Sequence, residues 1–185
     1  MRIFYQIFWV RSPSLQSRMT WPAISRCVRN ISTAIQESNP KPTKKVRDRQ
    51  LAAPLESTTL QMLVKSELAT KKHTATEGLL WLVRGLDFCA QALRADINTG
   101  GSQELSASFR GAYKNTLAPH HSFLVKPVFS AAMGATPYRK DFAVKVAGGN
   151  PDTSKAEEDM KVWVTALEEK IAILKEFLDT KEAKW

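Results

Sequence analysis

The sequence has few of the residues that mark a disulfide-bonded, collagen-like or membrane-spanning protein. It contains two cysteines and eight glycines in 185 residues, and Cys27 and Cys89 lie far apart. A disulfide framework needs more cysteines, so a reducing compartment is expected. The longest apolar run, residues 3–10, includes Gln6, whereas a transmembrane helix needs about 20 apolar residues. We therefore expect no disulfide scaffold and no transmembrane segment.

Motifs that carry catalysis or bind metals are also missing. The sequence has no Gly-x-Ser-x-Gly elbow, His-Glu-x-x-His zinc motif, phosphate-binding loop or Gly-x-Gly-x-x-Gly fingerprint. Adjacent residues on a helix point about 100° apart, so His120 and His121 do not readily ligate one metal ion. Cys89 lies in an apolar stretch and is expected to pack in the core. These absences favour a protein that is not an enzyme and holds no metal or cofactor.

Acidic residues are scarce in the first part of the chain. Residues 1–50 hold ten basic and two acidic residues, a net charge of +8, out of +9 for the whole chain. The remaining 135 residues are therefore nearly neutral. A nucleic-acid-binding domain usually carries its basic residues on the folded body. We therefore expect no nucleic-acid partner.

The first 36 residues contain no acidic residue, five arginines and five serines. This composition is typical of a mitochondrial presequence, with a poorly ordered leader as the alternative. Pro40 and Pro42 cannot lie inside a helix and predict a linker over residues 38–42. We predict a divergent basic leader over residues 1–43 and a folded domain over residues 44–185.

The rest of the chain has helical periodicity and no strand-like alternation. Capping-box patterns at residues 74–77 (TATE) and 154–157 (SKAE) predict the starts of two long helices, in which apolar residues recur at helical spacing. Pro54 is expected to open an earlier helix. Shorter helices are predicted over residues 104–117, 121–133 and 138–146, with Pro127 in an early turn or at a kink of the second. The predicted fold class is all-α.

Three ordered stretches of the chain resemble the glycolipid transfer protein family. They are residues 76–88 (TEGLLWLVRGLDF), residues 108–125 (which begin SFRGAY and end PHHSFLV) and residues 129–142 (which contain FSAAM and ATPYRKDF). Residues 45–51 (KVRDRQL) and 181–185 (KEAKW) resemble the fungal heterokaryon-incompatibility members in particular.

This resemblance implies a two-layer sandwich of helices that carries a glycosphingolipid between membranes. The sugar lies in a surface site, the ceramide chains enter an apolar slot, and no bond is made or broken. It further implies a monomer in the cytoplasm that contacts membranes peripherally and needs no cofactor.

The same resemblance assigns three headgroup-binding residues. Trp81 matches the tryptophan on which the first sugar stacks, since an indole complements the C–H face of a sugar; from periodicity alone it would be a core residue. His121 matches the histidine that hydrogen-bonds the ceramide amide, the alternative being a solvated histidine near a helix start. Lys45 matches the headgroup lysine, the alternative being one of several solvated lysines.

The resemblance also assigns residues that touch the hydrocarbon chains or the membrane. Phe123, two residues after His121, is expected to contact the membrane, since aromatic rings favour the headgroup boundary. The residues expected to line the slot, which periodicity alone would place in an ordinary core, are Phe88, Leu117, Phe129 and Met133.

The chain departs from the family upstream of Lys45. The family motif is Asp-x-x-x-Asn-x-x-Lys, and this chain has Ser38 where the Asp belongs and Pro42 where the Asn belongs. We therefore expect an incomplete headgroup site, and a domain that lacks the family's regular N-terminal helix or helices.

Two further functions stay open at this point. One is transfer of ceramide phosphate, with its anionic headgroup bound by Lys45, Arg47 and Arg84. The other is a glycolipid sensor or interaction protein that does not transfer lipid.

Overall fold

The computed structural model describes residues 42–185 and places them in seven α-helices, with no strand in that range. The helices are α1 (Pro42–Ala52), α2 (Leu60–Ala69), α3 (Thr74–Asn98), α4 (Leu105–Asn115), α5 (Val125–Gly134), α6 (Arg139–Val146) and α7 (Ser154–Asp179). Short 3₁₀ turns lie at Leu55–Ser57, Ala118–His120 and Lys181–Ala183. The predicted all-α class is confirmed.

Helix α1 overlaps the predicted linker. Pro42, the first residue that the structure describes, is helical, so the linker prediction is wrong at this residue. The remainder of the expected leader, with Ser38, and the question of missing N-terminal helices lie outside the described residues. The boundary between residues 43 and 44 stays a prediction.

Two other helix starts differ from the sequence prediction. Pro54 opens only the 3₁₀ turn, and α2 begins at Leu60 after Thr59, whose hydroxyl accepts a hydrogen bond from the Met62 amide at 3.1 Å. α5 begins at Val125, so His121 lies in extended backbone before the helix. Pro127 then falls in the first turn of α5, where a proline costs no helical hydrogen bond.

The described residues divide into two compact units. The first unit contains residues 42–86 and 169–185, and the second contains residues 87–168. The long helices α3 and α7 each contribute residues to both units. The core of the first unit comes from apolar side chains on α1, α2, α3 and α7, each less than a tenth exposed, among them Val46, Leu63, Val64, Leu79, Val83 and Ile171.

The start of α3 is capped from α2 rather than by its own sequence. The buried Glu67 carboxylate accepts hydrogen bonds from the Ala75 amide at 2.8 Å, the Thr76 amide at 2.7 Å and the Thr76 hydroxyl at 2.8 Å. The expected capping box, in which Glu77 would reach back to the chain before the helix, is therefore wrong for α3. Glu77 is directed to Lys45 instead.

Arg139, in the second unit, forms ion pairs or hydrogen bonds with three acidic residues. The Arg139 side chain lies 3.4 Å from Asp96 and 3.1 Å from Glu157, and its backbone amide donates to Glu104 at 3.0 Å. Burial raises the pKa of the Asp96 carboxyl, and the Arg139 charge opposes that shift. This network joins α3, α6, α7 and the residue before α4.

Candidate functional site

His121 sits against the aromatic side chains of the second unit. Its Nδ1 atom lies 3.0 Å from the Tyr113 hydroxyl, and its ring centroid lies 4.6 Å from that of Phe129. Tyr113 comes from the third turn of α4, and Phe129 comes from the second turn of α5. The loop between these helices therefore places the imidazole between a phenol and an apolar ring.

The rings beneath His121 form a buried aromatic cluster, which we define as Phe88, Phe109, Tyr113 and Phe129. Phe88 contacts Phe109, Tyr113 and Phe129 edge-on, at centroid distances of 5.5, 6.4 and 6.4 Å. Tyr113 and Phe129 stack at 5.2 Å with an interplanar angle of 12°. Edge-to-face and offset arrangements at these distances are the favourable ones for aromatic pairs. The cluster is apolar except at one side, where the Tyr113 hydroxyl and the His121 imidazole supply polar groups.

Burial sets the protonation of those two polar groups. It lowers the pKa of the His121 imidazole below its ordinary value of 6.5, and the positive charges of His120 and Lys126 lower it further. Burial also raises the pKa of the Tyr113 phenol above 10.0. At neutral pH the phenol keeps its proton and the imidazole is neutral. When the phenol donates to Nδ1, the imidazole proton is on Nε2, which then acts as a donor.

The expected slot residues are all buried. Phe88 and Phe129 belong to the aromatic cluster, and Leu117 and Met133 are 2% and 5% exposed. The structure thus brings Phe88, Phe129 and His121 together within the second unit. Whether the four residues line a slot stays a prediction.

Phe123, expected at the membrane, is 79% exposed. Leu124 and Val128 are also largely exposed, at 68% and 53%. We call these three residues the apolar tip; it precedes and begins α5. Leu124 and Val128 are four residues apart, about one helical turn, so the start of α5 presents neighbouring apolar side chains to solvent.

Lys45 lies in the first unit and is held by an acidic residue. Its ammonium group is 2.9 Å from the Glu77 carboxylate, and its side chain is only 12% exposed while that of Glu77 is 40% exposed. The alternative of a freely solvated lysine is therefore wrong. The pairing joins α1 to the first turn of α3.

Trp81 also lies in the first unit, on α3, and is partly exposed. The Arg84 guanidinium carbon lies 5.0 Å from the centroid of its ring, which is a cation–π contact. Burial lowers the pKa of Arg84. Trp81 is thus not a fully buried core residue, and part of its surface is in contact with a cation.

Sequence reasoning missed two residues of these sites, Tyr113 and Glu77. Tyr113 follows Phe109 by four residues on α4 and so shares its buried face, a signal that marks it as core but not as the partner of His121. For Glu77, the sequence pattern predicts a role in a capping box at the start of α3. Both contacts join residues on different elements, which local patterns do not specify. Among residues 42–185, no group of three or more His, Cys, Asp or Glu side chains could hold a metal ion.

The fold and these sites can now be compared with known proteins. The family model described as "Glycolipid transfer protein (GLTP)" matches residues 28–148. A protein of Aureobasidium melanogenum named glycolipid transfer protein is 61% identical over 142 residues, which cover 77% of this chain and 69% of that protein. The chain therefore belongs to the glycolipid transfer protein family.

Solved structures agree with this assignment. The crystal structure of HET-C2, a fungal glycolipid transfer protein, matches with a TM-score of 0.72 and 47% identity, over 98% of this chain and 82% of that one. A structure described as showing how FAPP2 selects simple glycosphingolipids using the GLTP fold matches with a TM-score of 0.74 and 26% identity, over 89% and 82% of the two chains. The chain spans about a quarter of the length of the curated pleckstrin homology domain-containing relatives that it also matches.

No helix within residues 42–185 combines the length and apolar character needed to cross a membrane.

Proposed function

We propose that this protein binds a glycosphingolipid and transfers it between membranes. It does so without catalysing a reaction, and without a metal or cofactor. Membership of the glycolipid transfer protein family supports the activity, and the positions of Trp81 and His121 support the mode of binding.

The observation that carries the proposal is the position of His121 at one side of the buried aromatic cluster. An amphiphilic lipid needs an apolar surface for its chains and polar atoms where the chains meet the headgroup. Burial of each chain methylene contributes about 0.8 kcal/mol, so Phe88, Leu117, Phe129 and Met133 supply the driving force for uptake. The neutral imidazole of His121 hydrogen-bonds the ceramide amide at the chain–headgroup junction.

The headgroup is recognised by Trp81 and Lys45. A part-exposed indole offers a flat apolar surface to the C–H face of a sugar, and the Lys45 ammonium donates to sugar oxygens. The Arg84 guanidinium, 5.0 Å from the centroid of the Trp81 ring, must leave any ring face on which the sugar stacks.

The apolar tip makes the peripheral membrane contact. Phe123, Leu124 and Val128 are exposed apolar side chains next to His121 in sequence, and such residues insert at the headgroup–acyl boundary. Lipid therefore enters and leaves near the imidazole. The protein acts as a cytoplasmic monomer; the mitochondrial presequence suggested by residues 1–36 concerns residues that the structure does not describe.

Vesicle-to-vesicle transfer by the full chain tests the proposal. Donor phosphatidylcholine vesicles carry either fluorescent galactosylceramide or fluorescent ceramide phosphate, and acceptor vesicles carry neither. Glycosphingolipid transfer is expected, with little transfer of ceramide phosphate because Lys45 is held by Glu77. Transfer of ceramide phosphate alone would establish the charged-lipid function, and vesicle binding without transfer of either lipid would establish the sensor function.

A further inference from the structure

Glu77 is an acidic residue near the two expected headgroup residues of the first unit, Lys45 and Trp81. The family motif places an Asp and an Asn upstream of Lys45, where this chain has Ser38 and Pro42. Glu77 lies four residues before Trp81 on α3, so the two side chains share a helix face one turn apart. It also contacts Lys45, at 2.9 Å. Glu77 therefore pairs with one expected headgroup residue of the first unit, Lys45, and lies one helical turn from the other, Trp81.

A close approach of α1 to α3 holds this arrangement. A Cβ atom at Gly78 would lie 2.9 Å from the Lys45 Cβ and 3.0 Å from the Pro42 carbonyl oxygen, both shorter than ordinary contacts. Glycine at residue 78 thus lets the backbones meet. The Lys45 side chain then has little room, and its ammonium is directed to the adjacent Glu77 carboxylate.

The Glu77 carboxylate keeps capacity for a ligand. Lys45 contacts its Oε2 atom, and Oε1 has no hydrogen-bond partner among residues 42–185. The side chain is 40% exposed, so solvent or a ligand reaches it. An ionised carboxylate accepts up to about four hydrogen bonds and donates none.

We propose that Glu77 is a specificity-determining residue, whose carboxylate accepts hydrogen bonds from sugar hydroxyls and disfavours an anionic headgroup. The inference rests on the proposed glycosphingolipid-binding function. Sugar hydroxyls donate to the carboxylate and accept from the Lys45 ammonium. The ion pair therefore satisfies both the donor and the acceptor of a hydroxyl group. A phosphate offers no hydroxyl donor of that kind, is repelled by Glu77 and must compete with it for Lys45.

The test compares Glu77→Gln with the unchanged full chain for both lipids. Affinity is measured by titration of the protein with phosphatidylcholine vesicles that carry galactosylceramide or ceramide phosphate. Galactosylceramide affinity is expected to fall about tenfold, since a neutral amide oxygen replaces a charged carboxylate as the hydrogen-bond acceptor. Ceramide phosphate affinity is expected to stay unchanged or to rise, because Lys45 is released.

Glu56→Gln is the matched control, because Glu56 pairs with Arg49 on α1 at 2.9 Å and is exposed. It removes the same charge from the same unit and should leave both affinities unchanged. Glu77→Asp keeps the carboxylate and should retain the preference for galactosylceramide. If Glu77→Gln does not fold, as judged by circular dichroism, Glu77→Ser takes its place: loss of the preference for galactosylceramide in Glu77→Ser, with its retention in Glu77→Asp, is the supporting result.

An equal loss for both lipids would show that Glu77 has only a structural role and would overturn the inference. Unchanged galactosylceramide affinity would overturn it as well, while leaving the proposed function intact. If the unchanged chain itself binds no galactosylceramide, the proposed function and the inference both fail.

Discussion

Trp81 is the side chain whose replacement most directly reports sugar stacking. Trp81→Ala should lower galactosylceramide transfer about tenfold, because an aromatic contact of this kind contributes about 0.5–1.5 kcal/mol and 1.4 kcal/mol corresponds to tenfold. The fluorescent transfer assay measures the change. Trp185→Ala is the control, since Trp185 is also part-exposed in the first unit but stacks on His73 at 5.5 Å. Equal transfer by Trp81→Ala and the unchanged chain would exclude stacking on Trp81.

His121 should make the stability of the fold depend on pH. Its pKa is lowered on folding, mainly by burial, so below pH 6.5 the unfolded chain binds a proton that the folded chain resists. The free energy of unfolding therefore rises with pH up to about 6.5 through this residue and is level above it. Urea unfolding across that range should show a smaller loss on acidification for His121→Asn than for the unchanged chain.

The matched control for that series is Ser122→Ala, at an exposed position next to His121. It should show the same dependence on pH as the unchanged chain. Identical acid sensitivity of His121→Asn and the unchanged chain would mean that the imidazole is not buried against Phe129 and Tyr113 as the structure has it.

Among the helices, α3 depends on a side chain from its neighbour α2. The Glu67 carboxylate satisfies the first amides of α3 with two hydrogen bonds and the Thr76 hydroxyl with a third. Negative charge at a helix N-terminus is favourable in its own right. This arrangement leaves Glu77 available to Lys45, so the capping of α3 and the Lys45–Glu77 contact are linked.

Glu67→Ala should lower the free energy of unfolding by about 2–3 kcal/mol, because buried donors lose a charged acceptor. Urea unfolding monitored by circular dichroism measures the change. Glu169→Ala, at an exposed position on α7, should change it by no more than about 0.5 kcal/mol. A loss for Glu67→Ala as small as that of the control would contradict the capping role.

Local sequence predicts which parts of the chain are helical, but it predicts only some of the residues at which the helices begin. Apolar periodicity identified α3 to α7, and the burial of Phe88 and Phe129 agrees with it. The predicted starts are wrong where a residue on another element determines the local structure. At α3 that residue is Glu67, which caps the helix; at His121 it is Tyr113, which contacts the ring of a residue in extended backbone. Pro42, which the sequence predicts to lie in a linker, is helical.

At the level of the whole molecule, the family was predicted from ordered motifs and is confirmed by the match over residues 28–148. The candidate sites were predicted less completely. The resemblance named Lys45, Trp81 and His121, and it assigned no role to Glu77. The positive charge is concentrated in residues 1–50, which include Lys45, whereas residues 51–185, which include Trp81 and His121, are nearly neutral.

The most direct measurement of the central claim is a native mass spectrum of the full chain after incubation with vesicles that contain both galactosylceramide and ceramide phosphate. Binding in an apolar slot with a sugar-selective headgroup site predicts a complex of one chain with one galactosylceramide. A spectrum with free protein alone, or with ceramide phosphate as the bound lipid, would contradict it.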